Sequence, residues 1–175
     1  FVLYFAFCVQ AYAQKPILFI GAKAHLGNGK VIENSIISIQ NGKFEIVADA
    51  SMIRIDPNAF DTIYKVYNKH IYPAFIAPNT TIGLTEIDAV RATHDYAETG
   101  NINPNIRSLI AYNTDSKIIN TVRTNGILIA QVTPQGGLIS GQSSVVYLDG
   151  KNWQDAVLKA DDGIHINWPN SYYKT

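Results

Sequence analysis

Asn79 and Thr81 stand two positions apart where an apolar run breaks, in "YPAFIAPNTTIG" from Tyr72 to Gly83. On a strand, residues i and i+2 face the same side, so this spacing points an amide and a hydroxyl the same way. Neither is a good transition-metal ligand; both offer neutral oxygens that suit hard cations, and weakly. The pair is therefore a candidate for binding a small-molecule substrate, with no metal assigned. A second candidate is the segment "TPQGGLISGQSS". There Gly136 and Gly137 let the backbone approach a ligand, while Gln135, Ser140 and Gln142 offer neutral hydrogen bonds. The alternative is a plain glycine-rich turn closing onto the next strand. No Lys-Ser or Lys-Thr follows the glycines, so this is not a phosphate loop.

The four histidines, His25, His70, His94 and His165, include no two at i,i+2 or i,i+4. A lone histidine is more often a surface or satisfied core residue than a ligand. Glu86, Asp88 and Asp95 alternate with Arg91 and His94 in the manner of a solvated helix face. Asp161 and Asp162 precede Gly163 and are expected to end a helix. No carboxylate pair has a spacing that demands acid–base chemistry, and no serine sits in a G-x-S-x-G context.

The elements that must position these residues fall into two parts. From Ile17 to Tyr72 the pattern is short strands and turns. In "SIISIQNGKFEIVA" the pair Asn41–Gly42 lies between two strand-like runs, the strongest short hairpin signal. After Gly83 the periodicity changes. "TEIDAVRATHDYAET" reads as helical, and "DSKIINTVRTNG" more clearly so: Asp115 as N-cap, a stripe of Ile118, Ile119 and Val122, and Asn125–Gly126 as the stop. "ILIAQV" follows as a buried strand, then "SSVVYL", then "NWQDAVLKADDG" as another helix start. Helix, turn and apolar strand in succession imply α/β units on a parallel sheet.

Composition narrows the partners. Of 175 residues 47% are apolar, enough for a core, and 14 basic residues balance 14 acidic ones without a basic cluster. Nothing tracks a phosphate backbone, so no nucleic-acid partner is expected. "FVLYFAFCV" followed by Ala11 and Ala13 in an A-x-A pattern reads as the remnant of a signal peptide over residues 1–13. The mature chain is then expected to begin at Gln14, to be periplasmic or secreted, and to hold no membrane segment. Cys8, the single cysteine, lies within that remnant.

Three quoted segments, in order, resemble an amidohydrolase-superfamily protein of the imidazolonepropionase-like kind. "GNGKVIENSIISIQNGKFEIVA" is similar to the opening β module of that family. "YPAFIA" is similar to the "hPGlID" that leads into its first barrel strand. "DSKIINTVRTNGILIAQVTPQGGLISGQSSVVYLDG" resembles the "a…a..aGvTtv…pg….i.Gq…v" that follows. The resemblance implies a β-sandwich-type module over 14–72 and, over 73–175, the first units of a partial (β/α)8, TIM-like barrel. A complete barrel needs about 250 residues, so the chain is expected to be a fragment. The family's first barrel strand ends in D-x-H-x-H, whose histidines hold a catalytic zinc or similar metal. Here Ala77 stands in place of the acid, and Asn79 and Thr81 in place of the histidines. The resemblance thus implies a zinc cofactor whose first ligands are missing. It implies a hydrolase of non-peptide C–N bonds, such as cyclic amides, with an altered or lost metal site. The alternative is a non-catalytic protein that binds a ligand or pairs with a homologous amidohydrolase.

Overall fold

The computed structural model describes residues 15–168, so the expected signal remnant and the start at Gln14 lie outside the described residues. The chain divides into two compact units at Pro73/Ala74.

The first unit holds one mixed sheet of five strands: β1 (Ile17–His25), β2 (Val31–Gln40), β3 (Lys43–Asp49), β4 (Thr62–Lys65) and β5 (His70–Ile71). Its order is β3-β2-β1-β4, with β5 also on β1. The β2–β3 hairpin pairs Gln40 with Lys43 and turns on Asn41 and Gly42, at φ 51° and 72°. Both central residues of a type I′ turn need positive φ, which Asn and Gly accept at least cost. β4 and β5 run parallel to β1 at successive stretches, Ile17–Ile20 on Thr62–Lys65 and Lys23–Ala24 on His70–Ile71. A kink separates the stretches at Gly21, where the register shifts. Its φ of 88° and the Tyr67 ring against it leave no room for a side chain. The unit is a single sheet, not the sandwich expected.

The second unit carries β6 (Phe75–Thr80), α1 (Ser108–Ala111), α2 (Lys117–Thr124), β7 (Ile127–Val132), β8 (Ile139–Tyr147), α3 (Trp153–Ala156) and β9 (Val157–Ile166). These strands form one sheet in the order β6-β7-β8-β9. Only β6 and β7 are parallel; β7–β8 and β8–β9 are antiparallel. The expected partial (β/α)8 barrel is therefore overturned: among the described residues neither sheet closes, and strands outweigh three short helices. Loop length gives the reason. A parallel return needs a crossover of about a dozen residues or more, but only Thr133–Leu138 separates β7 from β8, so the chain doubles back.

Three local expectations change with it. The segment 85–99 forms a loop with one 3-10 turn, Arg91–Thr93, because Thr93 competes for its backbone. Its hydroxyl has the carbonyls of Val90 (2.8 Å) and Ile87 (3.0 Å) within reach of its one proton and accepts from the Ile87 N–H. Ser116 rather than Asp115 caps α2, without a side-chain cap bond; its hydroxyl donates to Glu86 Oε2 at 2.9 Å. The expected helix after Asn152 lasts only Trp153–Ala156, and Asp161–Asp162 lie inside β9. By contrast, α2 stops at Asn125 and Gly126, at φ 87°, and β7 begins at once. The core lies between α1, α2 and one face of the sheet. It is built on Leu84, Leu109, Tyr112, Ile119, Ala130, Val132, Val146 and Leu148.

Candidate functional site

Alternation along β7 turns Ala130 and Val132 into the core and Gln131 to the opposite face. Across from Gln131 the edge strand β6 bulges. Ala77 pairs with Ala130 and Thr80 with Val132, so Pro78 and Asn79 together oppose one residue. Asn79 takes φ 50° there, a left-handed conformation that Asn tolerates better than most residues. Its N–H finds no ladder partner and donates instead to Gln131 Oε1 at 3.1 Å. The other end of the same amide donates to Asp162 Oδ2 at 2.8 Å.

A second bulge supplies that carboxylate. Ser143 pairs with Gly163 and Val145 with Lys159, so Ser144 alone faces Ala160, Asp161 and Asp162. Asp161 sits at φ 49°. The detour gives the two neighbouring carboxylates separate partners. Asp162 Oδ1 accepts the Ser143 hydroxyl at 2.6 Å. Asp161 accepts Arg107 through Nε (2.8 Å) and Nη2 (2.7 Å). This bidentate contact raises the Arg107 pKa above its ordinary value through hydrogen bonding and charge attraction to Asp161. Asn79, Gln131, Ser143 and Asp162 form a chain of hydrogen bonds from the sheet's edge to β9. It has neutral donors and acceptors plus one held carboxylate. Such a set can offer hydrogen bonds to polar groups such as amides.

Of the residues singled out by sequence, Asn79 belongs to this chain, and Thr81 follows directly after β6 with its carbonyl accepting the Leu84 N–H at 2.8 Å. Despite its apolar composition, the run before Pro78 is not buried: Phe75 and Ile76 are 66% and 62% exposed, as befits a sheet edge. Gln135, Gly136 and Gly137 are exposed, and much of their polar backbone is taken up internally. The Gln135 N–H donates to Tyr96 O, and the Asn167 amide donates to Gly137 O (2.8 Å), Gly136 O (3.4 Å) and Ser140 Oγ (2.9 Å). Those bonds close the loop as a turn. Beside it lies a hollow of 350 Å³ lined by Tyr96, Glu98, Arg107, Ser108 and Pro134, among others. Sequence reasoning missed Gln131, Ser143 and Arg107. Only the glutamine carried a signal, as one polar side chain within the apolar "ILIAQV".

The residues do not fit a catalytic zinc. Ala77, Asn79 and Thr81 supply a methyl, an amide and a hydroxyl, whereas such sites use imidazole, thiolate or carboxylate. Among the described residues no three His, Cys, Asp or Glu side chains gather in a way that holds a metal ion.

No family model matches the chain, and no curated protein does. Among solved structures it is similar to an amidohydrolase from Thermotoga maritima MSB8, with a TM-score of 0.78 and 23% sequence identity. The likeness is one of fold. It covers 88% of this chain and 39% of that one, so this chain spans about two fifths of the length of its structural neighbour.

Proposed function

We propose that the chain is part of an exported, amidohydrolase-like hydrolase acting on non-peptide carbon–nitrogen bonds, in cyclic amides or similar small molecules. The observation that carries this reading is the fold likeness to an amidohydrolase over 88% of the chain. The apolar run ahead of Ala11 and Ala13 supports export. In this reading Asn79 and Gln131 meet the polar rim of the substrate, and Asp162, held by Gln131 and Ser143, receives an N–H from it. No step runs through a metal, because the residues present do not make its site. The test is to assay the full-length protein against a panel of cyclic amides and to repeat it with Asp162→Asn. Turnover that falls at least tenfold in the variant supports the reading.

A second reading has its own observation. Ala77, Asn79 and Thr81 stand where metal-binding side chains would be needed, which favours a non-catalytic protein that binds a ligand or pairs with a homologous amidohydrolase. Saturable binding of a cyclic amide with no turnover by the full-length protein would decide for it.

A further inference from the structure

The first unit brings together two histidines that lie far apart in the chain. β5 pairs with β1 through Lys23–His70 and Ala24–Ile71, which sets His25 beside His70 and Tyr72. His25 Nε2 lies 3.0 Å from His70 Nδ1, and Tyr72 Oη lies 3.2 Å from that same Nδ1. Two hetero-atoms thus contend for one ring nitrogen, which offers either a single in-plane lone pair or a single proton. The rings are nearly parallel. Tyr72 stacks on His25 with centroids 4.3 Å apart at 12°, and His25 and His70 are inclined by 16°. Their distances suit a cation. With metal–nitrogen bonds of about 2.0–2.1 Å, two donors at square-planar or tetrahedral angles are about 2.9–3.4 Å apart. The contact as it stands is an end-on hydrogen bond between the two ring nitrogens. Tyr72 and His70 are exposed and His25 is half-buried, so the rings can turn toward a common ion without disturbing a core.

We propose that His25, His70 and Tyr72 form a surface site for one divalent late transition-metal ion, separate from the Asn79–Asp162 chain and independent of any hydrolytic role. Two imidazoles and a phenol oxygen suit Cu²⁺ best, since affinities at nitrogen and oxygen sites peak at copper.

The test uses the whole chain, stripped with chelator and titrated with Cu²⁺, Ni²⁺ and Zn²⁺ by calorimetry and visible absorption. One ion per chain is expected, with Cu²⁺ tightest. His25→Ala and His70→Ala should each weaken Cu²⁺ at least tenfold, while His94→Ala and His165→Ala leave it unchanged. Binding through Oη releases the Tyr72 phenol proton to solvent, so Tyr72→Phe should remove the tyrosinate-to-copper charge-transfer band. Selective broadening of the His25 and His70 ring resonances by substoichiometric Cu²⁺ checks the same site without any variant. Absence of saturable one-to-one binding, or binding that survives both the His25 and His70 substitutions, overturns the proposal.

Discussion

Gln131 shows how much a single side chain carries at the residue scale. Its carbonyl oxygen satisfies the Asn79 N–H that the bulge in β6 leaves without a ladder partner, and its amino group satisfies Asp162. Gln131→Leu keeps the bulk and removes both bonds. The exposed Asn79 N–H and the half-buried Asp162 carboxylate then each lose a partner, at a cost of about 1–3 kcal/mol, most of it at Asp162. Urea unfolding should show a lower midpoint with an unchanged slope. A variant as stable as the parent would mean that water replaces both bonds.

At the element scale, the bulge decides what the end of β6 can present. In a regular strand Ala77 and Asn79 would share a face. Here Ala77 and Thr80 do, since they pair with Ala130 and Val132 on the core side. The triple variant Ala77→Asp, Asn79→His, Thr81→His restores ligand chemistry but not ligand geometry. It is expected to contain no more zinc than the parent, as elemental analysis of both chains would show; a further equivalent of zinc would mean that the bulge irons out. The same element logic explains the second sheet: a six-residue connection after β7 enforces a hairpin whatever the apolar pattern of the next strand suggests.

On the scale of the whole molecule, the core of the second unit contains an ionisable group. Tyr112 is 5% exposed, and burial pushes its phenol up to about 12. In the unfolded chain a tyrosine titrates at about 10. The folded state thus holds its proton more tightly, so this contribution is intact below about pH 10. It is lost as pH rises from there through about 12. The urea midpoint should fall across that window, and less steeply in Tyr112→Phe; equal slopes in the two proteins would show that Tyr112 ionises without unfolding. The ring also packs against Gly83, whose φ of 77° and lack of a side chain admit it.

Features governed by near neighbours were legible in the sequence. Asn41–Gly42 accepts positive φ and makes the hairpin, and Asn125–Gly126 ends α2 just before β7. The apolar stripe of that helix places Ile119 in the core. These outcomes follow from backbone preferences that act over a few residues. The sequence offered Asn79 as a candidate through its type and position, but not the bulge that holds it. Sheet direction, the two bulges and the meeting of distant side chains came only with the tertiary structure. Gln131 and Asp162 are 31 positions apart, and His25 and His70 are 45. Pairing register sets such contacts, and a shift of one residue would turn each side chain to the other face. Local spacing carries no record of which strand will lie alongside which, so a chain whose histidines look solitary in sequence brings two of them within 3.0 Å.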